Sequence, residues 1–271
     1  MQTASTCGSL FRWPLHEPEA PAVHDRALFA RPFGQPEDID VDFRGVPRPV
    51  VVTAVLSHCL RTREESQFDE RDLWRWPVTK RMQGLLAVAE ATAGEIWRTT
   101  GRCHNAACGE WMEIPLQLGI FRAAAEEVSF RWFPADSPEF EVRIPTGEDQ
   151  MRLAAEFVED PMSLARGLIN GGEAVRMRDE WLPELERSLA ERDRLTDVRL
   201  AAKCPYCGQA CELDFDLEAF LLAELERRQA AQLDFVHRLA AGYHWSEAEI
   251  LVLPAWRREY YLDALEREGL R

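Results

Sequence analysis

Two pairs of cysteines, far apart in the chain, are the residues best suited to chemistry. The first pair is Cys103 and Cys108, the second is Cys204 and Cys207, and a glycine follows the second cysteine of each pair. A glycine at that position permits the positive φ angle of a tight turn whose backbone amides point at the sulfurs. Two such turns brought together supply four thiolates, the ligand set of a closed tetrahedral zinc site. The sequence therefore predicts one structural zinc ion bound by these four cysteines.

Other roles for the cysteines remain open at this point. Cysteine is among the most buried residue types, so buried free thiols or disulfides are the alternative to a metal site. Seven cysteines without a secretory context favour metal and free thiols. Cys211 and His104 are substitute ligands or bystanders, Cys7 is most simply a tail thiol, and Cys59 is most simply a buried one.

The segments that follow the two pairs resemble each other. With Cys108 placed over Cys207, the matched residues are Glu113 and Glu212, Ile114 and Leu213, Leu116 and Phe215, Leu118 and Leu217, and Phe121 and Phe220. This correspondence predicts two related half-sites, each a knuckle that leads into a strand and then into an apolar segment.

The composition limits the classes of protein to which the chain belongs. With 271 residues, of which 46% are hydrophobic, it can bury the core of one large or two small domains. No stretch approaches the roughly 20 apolar residues of a membrane span, and no secretory signal is apparent, so we expect a cytoplasmic protein without membrane insertion. The formal net charge of −15 opposes binding to phosphate backbones, so we expect no nucleic-acid partner.

The elements of the first half follow from periodicity and turn residues. Residues 1–49 contain seven of the 16 prolines and are predicted to be an irregular arm, which wraps a neighbour or is disordered. The β-branched run at 50–56 predicts a strand, and the spacing over 79–97 predicts an amphipathic helix capped by Thr79. Alternation over 112–118 predicts a half-buried strand.

A hairpin and a helical insert are predicted between the cysteine pairs. The strands are expected at 128–133 and 140–144. Residues 147–193 are expected to be helical, with Thr146 and Asp160 as N-caps.

Helices are predicted after the second pair. Asp216 caps a long helix that Gly242 ends, Ser246 opens a capping box, and Pro254 starts the last helix. The last helix carries an aromatic stripe, which either packs on its own domain or docks into a partner.

The fold class expected is therefore α+β, with two knuckle-and-strand half-motifs sharing one four-cysteine zinc site. We expect an irregular arm at 1–49, a zinc-stabilised core at 50–242 and a helical docking segment at 243–271. The sequence contains no H-E-x-x-H, G-x-S-x-G or phosphate-binding glycine loop, and a four-thiolate site has no open position for water. The expectation is a protein that is not an enzyme.

Several motifs in their order along the chain resemble one family. They are W-P-V at 76–78, the first cysteine pair, R-I-P-T-G-E-D-Q at 143–150, C-P-Y-C-G at 204–208 and H-W-S-E-A-E-I-L-V-L-P at 244–254. Over residues 50–267 the chain is similar to baseplate or hub-assembly proteins of contractile phage tails and related extracellular injection systems. Residues 1–49 lie outside this resemblance.

The resemblance implies a structural or assembly role without catalysis, in the cytoplasm or within an assembled particle. It also implies that the terminal segment contacts baseplate, hub or spike proteins. The residues expected at that contact are Trp245, Ile250, Leu253, Trp256, Tyr260 and Tyr261. The alternative function is that of a zinc-stabilised adaptor or regulatory protein in an unrelated pathway.

Overall fold

The fold was examined in a computed structural model of the chain. It describes residues 11–12, 29–62, 66–121, 128–134, 137–156, 161–172, 177–193 and 195–269. Helices and small antiparallel sheets make up this part of the chain, which confirms the predicted α+β class. No helix within these ranges is long and apolar enough to cross a lipid bilayer.

Three packed helices form the main core. They are α1 (Arg48–Cys59), α3 (Val78–Ala93) and α7 (Leu217–Tyr243), with the short α2 (Glu70–Arg75) beside them. The central residues of this core, such as Leu56, are completely buried. Asp216 caps α7 as predicted, because its side chain accepts a hydrogen bond from the amide of Ala219.

The predicted strand at 50–56 was wrong, because these residues belong to α1. Val51, Val52, Val55 and Leu56 are all buried, so the helix lacks the polar face that produces a helical period. A short apolar run of this kind cannot be assigned to helix or strand by periodicity alone. The proline at the second helical position was the available signal for a helix start.

Two long hairpins extend from the main core. The first pairs β4 (Ile96–Arg102) with β5 (Trp111–Gln117), and the second pairs β8 (Val198–Lys203) with β9 (Ala210–Phe215). The prediction that the helix continues to residue 97 was wrong, because α3 ends at Ala93 and Gly94 adopts a φ angle of 81°. The helix begins at Val78, with Pro77 rather than Thr79 as its N-cap.

A third hairpin forms a second apolar cluster with the last two of the three helices that follow it. Strands β6 (Ser129–Trp132) and β7 (Phe140–Arg143) pair as predicted. The helices of the predicted insert are α4 (Gly147–Glu156), α5 (Pro161–Leu168) and α6 (Leu182–Arg192). Asp160, the predicted cap of α5, lies outside the described residues. Trp132, Phe140 and Trp181 contact one another at the centre of this cluster.

The N-terminal segment packs on its own chain from residue 29 onward. Strands β1 (Phe11–Arg12), β2 (Phe29–Ala30) and β3 (Leu60–Arg61) form a small sheet. Beyond it, the Gln229 side chain of α7 donates to the backbone carbonyls of Asp38, Ile39 and Val41 at 3.1, 3.0 and 2.8 Å. The part of the predicted irregular arm that is described from residue 29 is therefore anchored to the core. The remainder of the arm, residues 1–10 with Cys7 and residues 13–28, lies outside the described residues.

Short 3₁₀ helices connect several of these elements. They are Pro36–Asp38, Leu118–Phe121 and Asp179–Trp181.

The C-terminal segment folds back on the end of α7. Helices α8 (Glu247–Val252) and α9 (Ala255–Arg267) pack there, with the predicted capping box at Ser246 and helix start at Pro254. The prediction that Gly242 ends α7 was wrong, because the helix continues to Tyr243 and ends at His244, whose φ angle is 57°. A Cβ atom at Gly242 would lie 2.5 Å from Leu265 Cδ2, so this glycine permits the close approach of α9.

Candidate metal centre

The four cysteines predicted as ligands lie at the tips of the two long hairpins. Cys103 and Cys108 are in the loop between β4 and β5, and Cys204 and Cys207 are in the loop between β8 and β9. Antiparallel pairing continues up to each loop, where Arg102 pairs with Trp111 in the first hairpin. The strands thus fix the positions at which both loops start and end.

Backbone amides in the loops point at the sulfurs. The amides of Asn105 and Glu110 donate to the sulfurs of Cys103 and Cys108, and the amide of Gln209 donates to that of Cys207. Gly109 and Gly208 have φ angles of 61° and 75°, as predicted for the residue that follows each pair. These turns present the sulfurs in a conformation that suits thiolates.

The distances between the sulfurs fit a single tetrahedral ion. The four Sγ atoms all lie within 4.8 Å of one another. Cys103 Sγ is 3.7 Å from Cys207 Sγ, and Cys108 Sγ is 3.9 Å from Cys204 Sγ. A tetrahedron with metal–sulfur bonds of about 2.3 Å has edges of about 3.8 Å. The four cysteines could therefore hold one metal ion, and among the described residues no other group of three or more candidate ligands was found.

The four cysteines differ in their burial and in the pKa of their thiols. Cys103 and Cys204 are 4% and 1% exposed, whereas Cys207 is exposed to solvent. The amide of Gln209 lowers the pKa of Cys207 to about 7, whereas desolvation and the neighbouring thiols raise the pKa of Cys103. Arg102 and Lys203 each stand directly before the first cysteine of a pair, and the Arg102 side chain donates to the Gly109 carbonyl at 2.9 Å. A guanidinium and an ammonium at these positions offset the negative charge of a four-thiolate site.

The hairpins pack on each other directly beneath the cysteines. A Cβ atom at Gly101 would lie 2.4 Å from Leu213 Cδ1 and 3.2 Å from Ile114 Cδ1. A side chain at position 101 would therefore force Leu213 of the other hairpin to move, and a large one would press the two hairpins apart. The small cluster beneath the sulfurs also contains Met112 and Cys211.

The strands of the two hairpins pair in the same register relative to the second cysteine of each loop. Gly101 pairs with Met112 in the first hairpin, and Ala202 pairs with Cys211 in the second. Two residues further from the loop, Thr99 pairs with Ile114, and Leu200 pairs with Leu213. The two additional residues of the first cysteine pair are therefore confined to its loop and leave the strand register unchanged.

Cys211 is a fifth thiol against one corner of the site. Its Sγ atom lies 3.7 Å from Cys103 Sγ, and the residue is only 4% exposed. It does not belong to the group of four sulfurs within 4.8 Å of one another. Sequence reasoning left its role open, although its register, which matches that of Met112, was a signal for a position facing the site. The substitute-ligand role of His104 has no geometric support, since this side chain is exposed and outside the cluster.

The remaining cysteine of the described residues, Cys59, lies at the end of α1. It is fully buried in the main core, and burial raises the pKa of its thiol. Its prediction as a buried thiol is confirmed.

The residues predicted to bind a partner divide into two groups. Trp256 and Tyr260 are 67% and 60% exposed on one face of α9. The other four are half-buried or buried, and Ile250 is completely buried and offers no contact surface. They are Trp245, Ile250, Leu253 and Tyr261.

The buried side of the segment is rigidly packed. Trp245 stacks on Tyr243 at a ring distance of 4.7 Å and meets the edge of Tyr261 at 5.0 Å. Trp256 and Tyr260 thus lie on the exposed face of α9, and the opposite face of this helix packs against α7.

Comparison of the chain with known proteins produced no matching family model, no matching curated protein and no matching solved structure.

Proposed function

We propose that Cys103, Cys108, Cys204 and Cys207 bind one structural zinc ion that joins two knuckle half-sites. A tetrahedral set of four thiolates is typical of zinc sites, and the same ligand set also binds iron. The fit of the sulfur distances to a tetrahedron supports this proposal. Such a site is coordinatively closed, so the proposed role of the ion is to stabilise the fold and not to activate water.

We further propose that the protein is a non-enzymatic component of a contractile injection system or phage-tail-like baseplate. In this proposal it acts in the cytoplasm or within the assembled particle, by docking to baseplate, hub or spike proteins. The motif resemblance within residues 50–267 suggests the class of machine. The exposed pair Trp256 and Tyr260 is the observation that carries the docking role.

Trp256 and Tyr260 lie four residues apart on α9, so their exposed side chains are neighbours on the helix surface. Large aromatic side chains on a well-packed helix lose favourable burial when they face water, and contiguous exposed apolar surface is typical of interaction sites. Val252, at the end of α8, is also 83% exposed and adds apolar surface to the same segment. Large aromatic residues dominate binding hot spots and cost about 2 kcal/mol or more when truncated at the centre of an interface.

The test is affinity purification of the full-length protein from its own cells, with quantitative mass spectrometry of the co-purifying proteins. We expect baseplate, hub or spike proteins with the wild type, and their loss with Trp256→Ala combined with Tyr260→Ala. Zinc content and melting temperature should stay close to those of the wild type, because both side chains lie outside the core.

Two variants control this experiment. Trp111→Ala removes a tryptophan that is 64% exposed on β5, far along the chain from the segment, and should leave the co-purification unchanged. Leu262→Ala removes a buried side chain of the segment and should cost about 2–4 kcal/mol of stability. If the aromatic double variant unfolds or loses zinc, the pair has a structural role. If the wild type purifies only with proteins unrelated to such particles, the adaptor function replaces the baseplate function.

A further inference from the structure

The cysteine cluster contains one more thiol than a tetrahedral ion can bind. Cys103 Sγ lies 3.7 Å from two further sulfurs, those of Cys207 and Cys211. Both separations are van der Waals contacts, so a disulfide of about 2.05 Å requires each pair to approach by about 1.7 Å.

The two neighbours of Cys103 differ in access to solvent. Cys207 lies in the exposed loop of the second hairpin, whereas Cys211 lies on β9 with 4% exposure. An oxidant dissolved in water therefore meets Cys207 first, and Cys211 is protected from it. Cysteines that sense oxidants are typically accessible and have a second cysteine close by that resolves the oxidised form.

We propose that Cys103 and Cys211 form a disulfide when a hydroperoxide oxidises the site, and that this modification releases the metal. Cys207 is the residue that reacts with the oxidant, Cys103 transfers the oxidation inward, and Cys211 is the resolving thiol. The assignment rests on the proposed zinc site for its consequence, metal release, but not for the disulfide itself.

The chemistry balances in three steps. The Cys207 thiolate takes one oxygen atom from the hydroperoxide and becomes a sulfenic acid, which leaves an alcohol, or water if the oxidant is hydrogen peroxide. The Cys103 thiolate then attacks Cys207 Sγ and displaces hydroxide, which is protonated to water. Cys211, having given its proton to water, attacks Cys103 Sγ, so the Cys103–Cys207 bond breaks and Cys207 leaves as a thiolate. Overall the Cys103 thiolate and the Cys211 thiol give up two electrons and one proton, solvent supplies a second proton, and one hydroperoxide becomes an alcohol and water.

The buried pair is favoured as the final product for a physical reason. A disulfide is apolar and suits the cluster beneath the loops, whereas the Cys207 thiolate is better placed in water or on the metal. The site then keeps only three thiolates, from Cys108, Cys204 and Cys207. An ion with three ligands and one open position exchanges more readily than one in a closed site.

The test begins with zinc-loaded, full-length protein treated with hydrogen peroxide and then alkylated. Trypsin leaves Cys103 and Cys108 on one peptide and Cys204, Cys207 and Cys211 on another, so electron-transfer fragmentation of the linked pair is needed to locate the bond. We expect the Cys103–Cys211 bond as the main product. We also expect zinc to pass to a chromogenic chelator in proportion to that bond, and to rebind after reduction with a dithiol.

Cys211→Met is the matched variant, because the corresponding position of the other hairpin is occupied by Met112. It should bind zinc normally, but peroxide should leave it with the Cys103–Cys207 bond and with more sulfinic acid at Cys207 than in the wild type. Cys59→Ala, which removes a buried thiol of the main core, should behave as the wild type.

Two results separate the possibilities. Oxidised wild-type protein in which Cys211 is still alkylated, with the bond between two of the four proposed ligands, overturns the inference. The disulfide map of the wild type decides this even if Cys211→Met fails to fold. Absence of zinc from untreated protein would instead contradict the proposed zinc site, and the disulfide map would still test the pairing.

Discussion

Asp149 is a buried carboxylate whose replacement should destabilise the helical insert. Its side chain is 1% exposed and accepts hydrogen bonds from the Thr146 amide at 2.9 Å and the Thr146 hydroxyl at 3.0 Å. The Arg143 guanidinium donates to both carboxylate oxygens, with the contact to Oδ1 at 2.9 Å, and Arg152 also forms an ion pair with this carboxylate. These contacts join the end of β7 to the start of α4.

The pKa of Asp149 indicates how much stability its replacement should remove. Burial alone would raise this pKa, but the hydrogen bonds from Arg143 and Thr146 outweigh it and lower the pKa from 3.8 to about 2. A shift of that size corresponds to about 2 kcal/mol of folding free energy. We therefore expect Asp149→Asn to reduce the free energy of unfolding by about 2–3 kcal/mol at pH 7.

The dependence on pH distinguishes the charge from the shape of the side chain. Because the folded pKa lies below the unfolded value, the contribution is complete well above pH 4 and disappears as the pH falls towards 2. The difference between wild type and Asp149→Asn should therefore shrink to about half by pH 3. Equilibrium urea unfolding at pH 7 and pH 3 measures it, and Asp234→Asn, on the exposed surface of α7, is the control. A deficit below about 0.5 kcal/mol at pH 7, or an equal deficit at both pH values, would refute this reasoning.

Three further outcomes follow from the same contacts. Elemental analysis should find one zinc per chain in the wild type and none in Cys204→Ser combined with Cys207→Ser. Chelation of the wild type should lower its melting temperature, and a metal-free wild type would contradict this prediction. Gly101→Val should weaken zinc retention against a competing chelator, because its side chain would meet Leu213; unchanged retention would show that the hairpins tolerate separation. Gln229→Ala should cost about 1–3 kcal/mol and speed proteolysis near residue 40, because three carbonyls lose their donor; unchanged unfolding and cleavage would show that the segment is held elsewhere.

The cysteine loops were predictable because their chemistry is local. A thiolate pair needs a tight turn, the turn needs glycine at a fixed place, and both are visible in the sequence at Gly109 and Gly208. The caps at Asp216 and Ser246 were predictable for the same reason, since a cap depends on residues within one turn of the helix.

The errors occurred where tertiary packing overrides local preference. The valine run of α1 forms a helix because it is buried on several sides, and its β propensity is then of little consequence. Ile96 and Trp97 continue the period of α3 and yet begin β4, because the positive φ of Gly94 redirects the chain. Gly242 has the residue type of a helix end but serves the contact with Leu265, which only the folded chain defines.

Apolar burial is unevenly divided along the two long hairpins, in a way that suits a metal ion at their tips. At the ends far from the loops, Trp97, Leu116 and Leu200 enter the main core, where packing holds the strands without help. Near the loops the buried cluster is small and consists largely of the cysteines themselves, so little apolar area is available to hold the tips together. A metal bound there would provide what hydrophobic burial lacks. Its removal should therefore loosen the tips first and leave the three-helix core folded, and hydrogen exchange after chelation should show loss of protection in β5 and β9 near the loops but not in α3.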